Sequence, residues 1–148
     1  MAIGRFSYAV DMIATKYLWA YRLIEYVTSL EALLTQDEPE ISYKLPLRAV
    51  ALLGGSKEER LFTFEFLRKA YAVRSKLVHG VEAKQLGKVL PMRINSRAHN
   101  PSEVNDMLHS LCQRCLRSVF GHLCSKSIGS KKDSLVELLD RRTITQSN

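Results

Sequence analysis

The sequence has few of the features that mark disulfide-linked, membrane-bound or cofactor-dependent proteins. Its three cysteines are odd in number and fall within one predicted helix, so we expect reduced thiols rather than a disulfide framework. The apolar stretch over residues 6–27 is broken by charged side chains, which argues against a signal peptide and a membrane span. We therefore expect a cytoplasmic protein that makes no membrane contact.

Phosphate-cradling glycine loops, Ser-His-Asp signatures and zinc-finger spacings are also missing. The nearest approach to a metal site is a group of His and Cys residues in one predicted helix: His109, Cys112, Cys115, His122 and Cys124. A tetrahedral site needs four converging ligands, and Cys124 points away from the face that His109 and Cys112 share. We expect buried thiols here, with no metal and no cofactor.

What the sequence does have is positive charge. Twenty-two Lys and Arg residues oppose fifteen Asp and Glu residues, which gives a net charge of +7 and an isoelectric point near 9.5. This balance favours polyanionic partners such as nucleic acid. Many basic proteins bind no nucleic acid, so the charge alone does not identify RNA as the partner.

The apolar pattern predicts helices. Over residues 6–34, apolar side chains return every three or four positions, as on one face of a long helix. Pro39 interrupts the pattern, because it lacks an N–H group and disfavours helical geometry in the residue before it. Ser42 is placed to cap a second helix, and the glycine pair that begins at Gly54 is placed to end it.

A third helix is predicted from a capping box. Ser56 and Glu59 have the spacing at which the serine accepts from a backbone N–H and the glutamate reaches back to the cap. Gly80 is well placed to end this helix, so His79 should lie at a helix end. Residues 81–100 show little periodicity and are expected to form a long loop.

Two further helices complete the prediction. The fourth opens at Pro101 and buries an apolar stripe, and a short fifth helix covers Asp133 to Asp140 with Asp133 as its cap. Residues 142–148 are expected to form a frayed tail. No strand pattern or internal repeat stands out. The chain is thus predicted to be all-α, a single domain over residues 1–141 built as a bundle of about five helices. The expected buried stripe of the fourth helix is Leu108, Leu111, Cys112, Cys115, Val119 and Leu123.

Arg74 and His79 carry the chemistry with the clearest functional meaning. An arginine and a histidine are sufficient to cleave RNA without a metal, because the ribose 2′-hydroxyl is a nucleophile within the substrate. Histidine titrates near neutrality and can move the proton, while a guanidinium stabilises charge on the phosphoryl oxygens. The products would be a 2′,3′-cyclic phosphate and a 5′-hydroxyl end. The alternative is that His79 only satisfies helix-terminal carbonyls.

Helix geometry limits how this pair can act. Residues five apart on a straight helix differ by about 140° in direction, so Arg74 and His79 do not converge unaided. Either the helix loosens before Gly80, or the same pair from a second chain completes the site.

Three blocks of the sequence resemble the Apea-like branch of the HEPN family: residues 29–34, residues 41–54 and residues 71–80. They stand in the order and spacing of that family, and the resemblance, which runs from about Leu23 to Gly80, covers about half of the chain closely. Arg74 and His79 match the Arg-x4-His motif of HEPN ribonucleases. Ser75 departs from the pattern, since many active members carry Asn, Asp or His after the arginine, and this departure weakens the expectation of high activity.

The resemblance implies a HEPN-like bundle that forms a homodimer, with motifs from both protomers facing a basic cleft for single-stranded RNA. Arg74 and His79 would be catalytic. Around them, Glu31 would orient Arg74 or His79 from the first helix, unless it forms an ordinary ion pair. The other residues that could support the site or contact phosphate, unless they are solvated charges, are Lys44, Arg48, Ser75 and Lys76.

The expected function is therefore a metal-independent RNA endonuclease that cleaves single-stranded RNA through 2′-hydroxyl attack, in a toxin or phage-defence role. The alternative is a non-catalytic HEPN module for RNA binding, partner binding or dimerisation, since fold alone does not decide activity. Because an unregulated ribonuclease would be toxic, an antitoxin or a larger effector complex is a natural further partner.

Overall fold

The computed structural model describes residues 3–5, 18–35, 39–79, 92–94, 96–124 and 132–145. Its helices are α1 (Leu18–Leu34), α2 (Ile41–Leu53), α3 (Lys57–Val78), α4 (Pro101–Cys124) and α5 (Lys132–Thr145), and residues 3–5 are helical too. Two short strands, β1 (Met92–Ile94) and β2 (Arg97–His99), precede α4. The predicted all-α class is confirmed.

The helices enclose one apolar core. The most extensive contacts join α2 to α3 and α1 to α4, while α5 packs on α2. Leu23 and Leu30 of α1, Leu67 of α3 and Leu108 of α4 are each at most 1% exposed. The predicted stripe of α4 is buried from Leu108 to Val119. Within the described residues, no helix is both long and apolar enough to cross a membrane.

Both ends of α2 are set by residues with positive φ. Gly54 ends the helix at φ 64°, where glycine carries no Cβ penalty, and its N–H donates to the carbonyl of Val50. The predicted cap at Ser42 is wrong. The helix begins at Ile41 after Glu40, which adopts φ 66° and makes no side-chain cap, so Ser42 lies inside the first turn.

Two capping boxes fix the starts of α3 and α4. At α3, the Ser56 hydroxyl accepts from the N–H of Glu59 and the Glu59 carboxylate accepts from the N–H of Ser56, as predicted. At α4, the carboxylate of Glu103 accepts from the N–H of Asn100 at 2.9 Å, and the Asn100 amide oxygen accepts from the N–H of Glu103 at 3.0 Å. Pro101 then occupies the first helical position, where its missing N–H costs nothing.

The region predicted as one long loop contains a β-hairpin. β1 and β2 pair antiparallel with Met92 opposite His99. Met92 and Ile94 are buried while Arg93 between them is exposed, which is the alternation of a strand with one face on the core. The Lys69 ammonium of α3 donates to the carbonyl of Arg93 and ties the hairpin to the bundle. Residues 81–91 and 95 of the predicted loop lie outside the described residues.

α5 is longer than predicted. It begins at Lys132, so Asp133 lies inside the helix rather than at its cap, and it continues to Thr145 instead of fraying after Arg141. Leu135, Val136 and Leu139 of this helix are buried. The last three residues, 146–148, lie outside the described part, as do residues 6–17 of the predicted first helix.

A buried arginine joins α5 to the rest of the bundle. Arg48 of α2 is 2% exposed, and its Nε and Nη2 donate to the Asp140 carboxylate at 2.7 and 2.9 Å. Its Nη1 donates to the carbonyl of Leu34 at 3.2 Å. One guanidinium therefore satisfies an end carbonyl of α1 and forms a bidentate ion pair with α5.

Asp140→Ala should lower the free energy of unfolding by about 2 kcal/mol, because it leaves the Arg48 guanidinium buried without its counter-ion. Urea titration measures the change. Glu137→Ala, an exposed carboxylate on the same helix, is the matched control and should change stability by less than about 0.5 kcal/mol. Equal effects of the two substitutions would contradict a special role for Arg48.

Stability should also depend on Glu103 at low pH. The hydrogen bond from the N–H of Asn100, with lesser help from Arg97 and His99, lowers the pKa of Glu103 below its ordinary value. A carboxyl whose folded-state pKa is lowered stabilises the fold above the unfolded pKa and loses that contribution as the pH falls through the folded pKa. Thermal unfolding followed below pH 4.5 should show a steeper loss for the wild type than for Glu103→Gln. Parallel curves would contradict this assignment.

Candidate functional site

The motif histidine lies at the C-terminal end of α3. His79 is the C-cap residue, exposed to solvent, with φ −87° and ψ 15°, and its N–H donates to the carbonyl of Ser75 at 3.0 Å. Helical hydrogen bonding therefore persists through His79, as predicted for its position. Of the two ways to bring the pair together, a loosening of the helix before the histidine is not what the structure shows.

The motif arginine lies one and a half turns earlier and is held by α1. The Nη2 of Arg74 donates to the Glu31 carboxylate at 3.0 Å, and the two side chains are 21% and 15% exposed. Within the described part, Nε of Arg74 is buried without a hydrogen-bond partner. The predicted proximity of Glu31 and Arg74 is therefore present as a half-buried ion pair between α1 and α3.

Tyr71 is a neighbour of this ion pair that the sequence reasoning missed. Its ring centroid lies 5.9 Å from the Cζ atom of Arg74, within the range of a cation–π contact. The same tyrosine acts to lower the pKa of the Glu31 carboxyl. The signal was available, because residues three apart on a helix are surface neighbours, and Tyr71 stands three positions before Arg74.

Burial dominates the electrostatics of the group. It raises the pKa of the Glu31 carboxyl above 4.5, although Arg74, Tyr71 and Arg5 each act to lower it. Burial and the nearby charge of Glu31 likewise raise the pKa of the Tyr71 phenol above 10.0. Arg5 also forms an ion pair at 3.0 Å with Glu25, six residues before Glu31 on α1. The carboxylate of Glu31 is thus held among cations, yet its ionisation is costly.

The other predicted site residues are dispersed. Arg48 is buried in its ion pair with Asp140, so it is not accessible for the predicted phosphate contact in this structure. Lys44 is half-buried on α2, on a different helix from the motif. Lys76 is exposed in the last turn of α3, where its charge complements the helix dipole. Ser75 is half-buried, and its carbonyl accepts from His79.

Two thiols of α4 are buried in the core. Cys112 and Cys115 are free, and burial raises the pKa of Cys112 well above 9.0 and that of Cys115 to about 12. His109 instead contacts Tyr26, with Nδ1 3.3 Å from the tyrosine hydroxyl. Among the described residues, no group of three or more His, Cys, Asp or Glu side chains is arranged to hold a metal ion.

Two open clefts of the described part lie away from the motif. One, of about 340 Å³, lies between α2 and the first turns of α3 and is lined by apolar side chains with Lys57 and Arg60. Arg60 lies about 20 Å along α3 from Arg74, at 1.5 Å per residue. The other, of about 660 Å³, separates α3 from α4 and includes Asp106 and Arg114. Neither cleft is lined by Arg74 or His79.

Comparisons with known proteins add no relative: no family model, no curated protein and no solved structure matches this chain.

Proposed function

We propose that this protein is a HEPN-like, metal-independent endoribonuclease that cleaves single-stranded RNA at a site formed by Arg74 and His79. The observation that carries the proposal is the setting of the motif in the fold. The arginine is fixed by a carboxylate from another helix while part of its side chain stays accessible, and the histidine is exposed on the same helix. A fixed cation and an accessible imidazole are the two groups that RNA cleavage requires.

The chemistry follows from these two groups. The neutral imidazole of His79 takes the proton of a ribose 2′-hydroxyl, and the 2′ oxygen then attacks the adjacent phosphorus. A 2′-oxygen–phosphorus bond forms and the bond from phosphorus to the 5′ oxygen breaks. The leaving 5′ oxygen takes a proton from the imidazolium that His79 became when it accepted the 2′-hydroxyl proton. The guanidinium of Arg74 stabilises the charge that builds on the phosphoryl oxygens, and the products are a 2′,3′-cyclic phosphate and a 5′-hydroxyl.

A homodimer brings the two groups to one phosphate. Because α3 keeps its helical hydrogen bonds through His79, the directions of Arg74 and His79 on one chain differ by about 140°. We therefore propose that Arg74 of one protomer works with His79 of the other. Lys76, exposed in the last turn of α3, extends the positive surface beside the motif and offers a further contact to the RNA backbone.

The biological setting we propose is the cytoplasm, where the enzyme acts as a toxin or a phage-defence effector. Because the proposed reaction needs neither a metal nor a nucleophile from the protein, nothing in its chemistry prevents the enzyme from cleaving host RNA. An antitoxin or a larger effector complex that controls dimerisation or access to the motif would keep the enzyme inactive until it is needed.

Cleavage of labelled single-stranded RNA in excess EDTA tests the proposed reaction. The wild type should leave 2′,3′-cyclic phosphate ends, and Arg74→Ala and His79→Ala should each reduce the rate by about 100-fold or more. Arg68→Ala is the matched control, because it removes the same charge from an exposed position on the same helix and should change the rate by less than about threefold.

Each other outcome has a definite meaning. Cleavage that EDTA abolishes would contradict a metal-independent reaction. RNA that binds to the wild type and to His79→Ala alike, and stays intact with both, would favour the alternative of a non-catalytic RNA-binding module. A rate that Arg68→Ala lowers as much as Arg74→Ala would mean that overall charge, rather than the motif, controls RNA contact.

A further inference from the structure

The cleft between α2 and the first turns of α3 combines apolar walls with positive charge. Its volume of about 340 Å³ lies in the range of ligand pockets, and Leu47 and Val50 contribute to its apolar wall. The charged side chains that line it are Lys57 and Arg60, and none of the described residues in its lining is a carboxylate. A ligand that suits this cleft is therefore partly apolar and negatively charged.

Two aromatic rings of the cleft are held against each other. The ring centroids of Tyr43 and Phe64 are 5.7 Å apart and the ring planes meet at 83°, which is an edge-to-face contact between α2 and α3. Tyr43 nevertheless stays 54% exposed. An exposed ring whose orientation is fixed by a neighbour offers a flat surface to a planar ligand, and stacking on such rings is how many proteins hold nucleobases.

The larger cleft, between α3 and α4, has a different balance of charge. Glu58, Glu59 and Asp106 line it together with Arg114. Three carboxylates beside one arginine repel a phosphate group. The positive charge of the first cleft is therefore a property of its own lining and does not simply follow from the net charge of +7.

The length of α3 separates the first cleft from the motif. Phe64 precedes His79 by fifteen residues, which corresponds to about 22 Å at about 1.5 Å per residue. A nucleotide held in the cleft is thus not the one whose phosphate reaches His79 of the same chain. The cleft would be a second site.

We propose that the cleft between α2 and α3 binds a nucleotide, with its base against the ring of Tyr43 and its phosphate at Lys57 and Arg60. This chemistry is shared by a free nucleotide and by one nucleotide of a single-stranded RNA, and the two sources are distinguished below. The binding does not require the proposed cleavage reaction and is measured without it.

The first arm of the test is titration with adenosine 5′-monophosphate, followed by NMR of the backbone amides. Tyr43→Ala should weaken binding by about tenfold because it removes the stacking surface, whereas Tyr43→Phe keeps the ring and should stay within about twofold of the wild type. Tyr21→Ala is the matched control, because Tyr21 is 55% exposed on α1 and does not line the cleft. It should leave the affinity unchanged.

Adenosine, which lacks the phosphate, isolates the role of Lys57. The wild type should bind the monophosphate about tenfold more tightly than adenosine, and Lys57→Ala should reduce this preference to about twofold. Arg68→Ala removes the same charge from an exposed position on α3 outside the cleft and should leave the preference unchanged. Tyr43→Ala should weaken both ligands by the same factor, since both carry the base.

The second arm distinguishes the two sources of the nucleotide. It measures the affinity of a labelled single-stranded RNA of about 16 nucleotides by fluorescence anisotropy, with His79→Ala protein so that the RNA stays intact. Tyr43→Ala in this background should weaken RNA binding by about fivefold or more if the cleft takes a nucleotide of the RNA. Unchanged RNA affinity, together with Tyr43-dependent binding of the monophosphate, would identify a free nucleotide as the ligand.

Other results would overturn the proposal. If neither the monophosphate nor the RNA depends on Tyr43 and Lys57, or if the control variants weaken binding equally, the cleft does not bind a nucleotide. Losses of affinity matched by unfolding at a lower urea concentration would assign both side chains to folding instead. A wild type that leaves RNA intact would contradict the proposed function but would leave these binding results as they are.

Discussion

The buried guanidinium of Arg48 is the constraint on which the arrangement of the helices depends. It bonds the carbonyl of Leu34 at the end of α1 and the carboxylate of Asp140 on α5, so it sets how far α1 and α5 advance along α2. A charge buried to this degree is tolerated only with its partners in place. Its consequence reaches the candidate site, because Glu31 lies one turn of α1 before Leu34.

The candidate site also contains an arginine that is held by a carboxylate from another helix. Glu31 and Arg74 form a second ion pair between helices, but both side chains keep some exposure. The Arg48 side chain is 2% exposed and its donors are used within the fold, whereas the Arg74 side chain is 21% exposed and remains accessible to a ligand. The same residue type therefore serves the structure on α2 and the proposed chemistry on α3, and the exposure of the side chain distinguishes the two roles.

Features that depend on neighbouring residues could be predicted from the sequence. The capping box at Ser56, the end of α2 at Gly54 and the buried stripe of α4 follow from spacing over a few positions. The position of His79 at the end of α3 follows from the same kind of local signal. The motif was thus placed on its helix correctly before any tertiary contact was known.

Features that depend on distant partners could not be predicted. Arg48 looked like a surface cation because Asp140, its counter-ion, stands 92 positions away in the sequence. The strands at Met92 and Arg97 have three residues each, too few for alternation to be distinguished from a loop. Tyr71 stands three positions before Arg74 on the same helix, but the ion pair of Arg74 with Glu31 depends on how α1 packs against α3.

The measurement that tests the account most directly uses a heterodimer of two inactive variants, purified through a different tag on each chain. One protomer carries Arg74→Ala and the other carries His79→Ala. If Arg74 of one protomer works with His79 of the other, one of the two sites in this heterodimer is intact, and RNA cleavage in EDTA should return to about half of the wild-type rate. A heterodimer as inactive as either parent would contradict a site shared between protomers.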